Sequence, residues 1–221
     1  MDKTMQKQTE IAIIGAGHAG VEAALASARL GLSTVLFTLS LDAVANMPCN
    51  PSIGGTAKGH LVYEIDALGG EMGRAADAVT LQSRTLNTGK GAAVRSKRVQ
   101  ADRLAYRSYM KNRVENTPLL DVVQEEIVDI ITESTEKGKK ISAVVTRLGD
   151  VWQVKAAVIC AGTYLGGKIF VGSNTRQSGP DGQLPADMLT ASLEREGIER
   201  CAALKRERLS AWISAASTFQ N

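Results

Sequence analysis

The sequence predicts an α/β fold, and three features carry that prediction. A short apolar run breaks into a glycine turn near the N-terminus, an amphipathic helical segment follows at once, and a late block of alternating apolar residues ends in a second glycine-rich bend. With 221 residues, 44% of them hydrophobic, the chain can build one ordinary domain around a real core. Residues 1–10, "MDKTMQKQTE", are polar, lack the apolar region of a signal peptide, and are expected to be disordered. No apolar run approaches the roughly 20 residues that span a bilayer, so a cytoplasmic location without membrane contact is expected.

"IAIIGAGHAG" supplies the first strand, Ile11 to Ile14, and then the glycines. In "VEAALASARLG", Val21, Ala24, Leu25 and Ala28 share one helical face, and Gly31 is a stop of the kind that ends helices. Thr34 to Leu39 is a second strand, which completes a β-α-β unit of about 30 residues, the length a parallel crossover needs. "HLVYEIDALGGEMGRAADAV" reads as helix broken at Gly69 and Gly70. "VQADRLAYRSYMKNRVEN" reads as the longest polar helix, ended by Asn116 and Pro118. "LLDVVQEEIVDIITES" alternates like strand material. "GKKISAVVTRLGDVWQVKAAVICAG" then reads as two or three hairpin strands and a last buried strand, Ala156 to Cys160, which places Cys160 in the core.

Cys49, Cys160 and Cys201 are odd in number and far apart, so reduced thiols are expected rather than a disulfide framework or a zinc site. Two histidines, His18 and His60, are too few for an imidazole-rich metal centre. The net charge is +3, yet Arg84 to Arg113 alone carries nine Lys or Arg against one acid, Asp102. Such a stripe attracts phosphates, but on charge alone a solvated helix face is the favoured reading.

Gly15-Ala16-Gly17-His18-Ala19-Gly20 fits a dinucleotide fingerprint between strand and helix. The first glycine allows the tight turn, the second lets backbone approach a diphosphate, and the third permits close packing of helix on strand. The amides and dipole of the helix N-terminus then meet the anion. The acid that usually follows at the end of the second strand, to hold the ribose, is absent: Thr38 stands there, with Asp42 four residues later. The glycines alone leave a nicotinamide cofactor open. "AAVICAGTYLGG", an apolar strand ending in small residues after a β-meander, resembles the glutathione-reductase class of FAD domains. The fold expected is therefore a Rossmann-like FAD-binding domain with β-meander, incomplete in this chain.

Four stretches, "GAGHAGVEAALASARLG", "MPCNPSIGGTAKGHLVYEIDALGGEMGRAAD", "LNTGKGAAVRSKRVQADRLAYRSYM" and "GTYLGGKIFVG", closely resemble the GidA/MnmG family of tRNA-modifying flavoproteins. The likeness runs from Ile11 to about Leu204, with Ala92 where the family normally has proline. It implies FAD held by Gly15, Ala16, Gly17, His18, Ala19 and Gly20, with Thr38, Asn50, Pro51, Ile127, Gly162 and Ser178 completing the site. Cys49, Asn50 and Pro51 are then expected beside the isoalloxazine and the Ile127 backbone against the adenine. Cys49 is the candidate catalytic residue, open to two readings: a thiolate activated by the helix beginning near Thr56, or a small buried apolar residue. Lys58 either places charge near flavin or phosphate or caps a turn; His60 starts the next helix, and His18 serves through its backbone. Lys90, Arg95, Lys97, Arg98 and Arg103 lie where the family's basic segment lies and are expected to contact tRNA or cofactor phosphates.

The resemblance further implies a reaction at C5 of the wobble uridine that uses a one-carbon unit from methylenetetrahydrofolate, NADH as reductant, an MnmE-type GTPase as partner, and a homodimer. The prolines and glycines of Met47 to His60 would fix backbone against a ring at little entropic cost. Beyond Lys205 the chain leaves the family pattern. Residues 205–221 form an atypical tail, and Arg206 to Asn221 is read as out of frame, because a shift within the Lys205 codon can restore family-like Thr-Gly-Thr-Pro. This divides the chain into a polar start, an FAD-domain portion over 11–204 and the tail, and it implies a truncated member, inactive alone. Two alternatives are a non-catalytic nucleotide- or tRNA-binding module and a fragment of a folate- and FAD-dependent tRNA methyltransferase.

Overall fold

A computed structural model describes residues 7–198 apart from 49, 137, 172, 180, 181 and 184; Cys49, Cys201 and the tail over 205–221 lie outside the described residues. In chain order the elements begin with β1 (Lys7–Gln8), β2 (Ile11–Ile14), α1 (His18–Arg29), β3 (Thr34–Thr38), β4 (Ser52–Gly54), α2 (Gly59–Ala67), α3 (Met72–Ala78), β5 (Thr80–Leu86) and β6 (Ser96–Ala101). They continue with α4 (Arg103–Glu115), β7 (Leu120–Gln124), β8 (Ile127–Thr135), β9 (Gly138–Thr146), β10 (Val151–Gln153), β11 (Ala156–Ile159), β12 (Lys168–Val171), β13 (Asn174–Gln177) and α5 (Met188–Arg195).

A parallel sheet in the order β11-β2-β3-β7 forms the frame. Its strands alternate between two cores, as the two-residue repeat of a strand requires. Ile13 and Leu36 face a cluster with Val21, Ala24 and Leu25 of α1 and Tyr106, Met110 and Val114 of α4. Ala12, Ile14, Val35 and Phe37 face the opposite way, into a cluster with the meander β8-β9-β10 and with Leu189 and Leu193 of α5. There Phe37 meets Trp152 edge to face, with ring centroids 5.4 Å apart. This is the mixed architecture of a Rossmann-like domain. Among the described residues no helix is long and apolar enough to cross a membrane.

A buried carboxylate network fastens the helical side. Glu22 of α1 accepts from the Glu71 and Met72 amides (2.9 and 2.7 Å for its Oε1), so a side chain of one helix caps the start of α3. Glu71, 2% exposed, accepts from the Tyr109 hydroxyl at 2.9 Å and pairs with Arg113 Nε at 3.2 Å. Asp102 caps α4 by accepting from Leu104 N and Ala105 N, both at 2.9 Å.

Three expectations need correction. Disorder expected over residues 1–10 does not extend to 7–10, because β1 pairs in parallel with β10 and Thr9 is buried. The polar helix begins at Arg103 rather than Val99: Asp102 sets its start, and Val99 and Ala101 point their side chains into the core from β6. That strand and its neighbours make a three-stranded antiparallel sheet, β4-β6-β5, which hydrophobic alternation did not announce. Finally, the strand ending the meander is not a buried one. β11 occupies the edge of the parallel sheet, Val158 is exposed, and Cys160 just beyond it is half-buried rather than core.

Candidate functional site

Strand β2 delivers the chain into the glycine turn at the C-terminal edge of the parallel sheet. Gly15 N donates to Phe37 O at 2.9 Å, and its φ of +105° is one that a residue with Cβ rarely adopts. A Cβ there would also sit 2.5 Å from Cys160 O, and one on Gly20 would sit 1.7 Å from Gly15 O. Gly17 is different. It caps α1 in extended backbone without a side-chain cap, and a Cβ on it would meet nothing within 4 Å. Two glycines are thus closed by protein, while the middle one faces open space beside amides that have no partner within the helix.

Ala16 is buried and Ala19 exposed on the first turn. His18 opens α1 with its ring 5.7 Å from that of Tyr106. Burial pushes the imidazole below its ordinary pKa, so at neutral pH it brings no charge to the turn, and its contribution there is its amide.

The loop after β3 is tied to this turn by backbone. Ala45 N donates to Ala16 O at 2.8 Å, with Ala45 at φ +49° and buried alongside Val44 and Met47. Arg103 Nη2 reaches Asn46 Oδ1 at 3.4 Å. Further on, Asn50 O accepts from Ser52 N at 2.8 Å and Pro51 O accepts from Ala101 N at 2.9 Å. Cys49, the candidate catalytic residue, lies outside the described residues. The stiff stretch of the sequence is therefore clamped at one end to the glycine turn and at the other to β6. Its glycines close the clamp: a Cβ on Gly54 would lie 2.3 Å from Lys97 O, and Gly55 N donates to that same oxygen at 2.8 Å. Lys58 precedes α2 and His60 is its second residue.

The other expected cofactor residues are distributed. Thr38 ends β3 and is buried, its hydroxyl donating to Ser40 O at 3.0 Å. Ile127 opens β8 and is 2% exposed. Gly162, at φ +53°, begins a short turn after β11. Ser178 is buried after β13, with its hydroxyl directed at the carbonyls of Gly179 (3.0 Å) and Gln183 (3.2 Å). Gln124, which the sequence reading passed over, sits at the end of β7 and accepts from Leu41 N at 3.1 Å. Its only sequence signal is an amide that follows Val122 and Val123 at the end of a strand.

The basic residues do not share one helix face. Arg84 on β5 stands directly opposite Arg98 on β6, and Thr85 opposite Lys97. Lys90 ends a short exposed turn, Arg95 reaches Thr88 O at 3.4 Å, and Arg103 opens α4. Like charges directly opposed across a sheet are unfavourable without a counter-charge. On α4 itself two cations are internally engaged, Lys111 with Asp42 at 3.3 Å and Arg113 with Glu71.

A parallel sheet with a glycine cradle at its carboxyl edge and a meander on one face defines the class: a Rossmann-like domain of the FAD-binding flavoprotein type. The chain belongs to the GidA family, since residues 10–205 match the family described as glucose inhibited division protein A. It is 54% identical over 190 residues to the tRNA uridine 5-carboxymethylaminomethyl modification enzyme MnmG of Caldicellulosiruptor saccharolyticus, covering 86% of this chain and 30% of that protein. The MnmG of Finegoldia magna is 50% identical over the same length. Aquifex aeolicus GidA superposes with a TM-score of 0.81 at 46% identity, over 86% of this chain and 31% of that one. A GidA-related protein from Thermus thermophilus, at 21% identity and a TM-score of 0.57, shares the fold. The chain spans about a third of the length of the MnmG proteins it matches.

Proposed function

We propose that this chain is the FAD-binding N-terminal part of a flavoenzyme that builds an aminomethyl or carboxymethylaminomethyl group on C5 of the wobble uridine of tRNA. One observation carries the reading: Gly15 and Gly20 are sealed against backbone while Gly17 alone opens outward at the start of a 12-residue helix. That is the arrangement a diphosphate requires, because a side chain at the middle position would fill the seat. The amides from Ala16 to Gly20 would hold the diphosphate, Asn50 and Pro51 would border the ring, and the Ile127 backbone would face the adenine. Bound FAD would supply two-electron redox chemistry. The chain's own part is to bind, to orient, and to keep the loop from Ala45 to Pro51 at a fixed spacing from the cradle.

The names of the relatives support the tRNA substrate, and the opposed Arg84 and Arg98 with Lys90, Arg95, Lys97 and Arg103 supply a surface for phosphates. Use of NADH and methylenetetrahydrofolate, an MnmE-type GTPase partner and homodimerisation belong, on this reading, to the whole enzyme. An absorbance titration tests the proposal. Added FAD is expected to show a saturable, shifted flavin band at micromolar concentration, and an unshifted spectrum throughout would overturn it.

A further inference from the structure

We propose that Gln124 replaces the missing acid and recognises the ribose of the adenosine half of the cofactor, an inference that rests on the FAD reading above. In glycine-rich β-α-β sites a carboxylate at the end of the second strand normally takes the ribose hydroxyls. Here that position is Thr38, buried, with its hydroxyl committed to Ser40 O and its oxygen accepting from Ser40 N at 3.3 Å. The next carboxylate, Asp42, turns toward α4, where Lys111 Nζ holds it at 3.3 Å. Thr38 has no carboxylate to offer, and Asp42 lies beyond the strand end with its side chain 87% exposed.

Gln124 is the residue paired with Thr38 in the parallel register of β3 and β7. It therefore stands at the same level one strand across, on the carboxyl edge where ligands of this fold bind. Its Oε1 accepts from Leu41 N across 83 positions of sequence. A backbone N–H can only donate, so the bonded atom is the oxygen and the amide orientation is settled. The Nε2 group, with two hydrogens, is left on the exposed side and donates to no described residue. One amide thus braces the turn after β3 with its acceptor and presents its donors where the ribose of a diphosphate seated at Gly17 would lie.

The test is a ligand-by-residue cycle on the 221-residue chain and its Gln124→Ala variant, titrated with FAD, ADP, 2′-deoxy-ADP and 3′-deoxy-ADP. The unaltered chain is expected to bind ADP about threefold to tenfold more tightly than at least one deoxy analogue, the worth of one neutral hydrogen bond. In Gln124→Ala that preference should vanish, with FAD affinity lowered by a similar factor. Gln124 is exposed, so the variant is expected to fold, and thermal unfolding verifies it. A residue that only braced Leu41 would weaken ADP and both analogues equally and keep the preference, which would overturn the inference, as would an unaltered chain without any preference. If the unaltered chain binds neither FAD nor ADP, the FAD reading itself falls, an outcome separate from the other two.

Discussion

Two glycine-rich segments can be set side by side, Gly15 to Gly20 and Gly54 to Gly59. Both press glycines against backbone carbonyls: Gly20 on Gly15 O in the first, Gly54 on Lys97 O in the second. In the second, a Cβ on Gly59 would also collide with Ser96 Oγ at 2.5 Å, so the glycines there bind a loop to a sheet. The first segment adds one open position, Gly17, at the mouth of a helix. The difference shows that glycine content alone does not make a binding site. What matters is whether one glycine is left facing outward beside unpartnered amides.

Substitutions within the first segment should separate most strongly. Gly20→Ala forces a methyl group into Gly15 O and is expected to cost about 3 kcal/mol or more, a fall in Tm of about 6–12 °C. Gly17→Ala, with room for its methyl, should cost only about 0.5–1 kcal/mol as a poorer helix cap yet weaken FAD about tenfold or more. Thermal unfolding paired with flavin titration checks both; equal stability losses would erase the distinction between closed and open glycines. In the second segment, Gly54→Ala meets both the Lys97 carbonyl and a φ of +78°, and about 2 kcal/mol should be lost in urea unfolding.

The smallest expected effect lies away from both segments. Burial of Asp129 raises its pKa, but the Ser192 hydroxyl, the Arg195 guanidinium and the Ile130 amide together outweigh burial and hold the carboxyl below its ordinary value. A carboxyl depressed in the folded state contributes stability above its unfolded pKa and loses it as pH falls through the folded one. Asp129→Asn should therefore lower the urea midpoint at pH 7, with the deficit shrinking as pH falls below about 4, and should leave flavin affinity unchanged. A deficit equal at both ends of that range would assign the effect to packing instead.

The β-α-β unit and the meander were legible because their apolar residues follow simple periods: Val21, Ala24, Leu25 and Ala28 every three or four, Val35 and Phe37 every second one. The sheet β4-β6-β5 was not. Thr80 to Thr85 is exposed on both faces and carries no alternation, and Lys97 and Arg98 disguise a strand whose buried residues are only Val99 and Ala101. The glycine turn between β2 and α1 followed from spacing, since Gly15 carries a positive φ and Gly20 presses on the Gly15 carbonyl five residues back. Gln124 could not be read this way, because its importance depends on a register between β3 and β7 and on a bond to Leu41, both formed only when distant segments meet.

The bond from Ala45 to Ala16 joins main chain to main chain. Its length is set by peptide geometry rather than by a side chain, yet both alanines are buried and Ala45 sits at φ +49°, so a bulkier residue at either place would press directly on the joint between turn and loop.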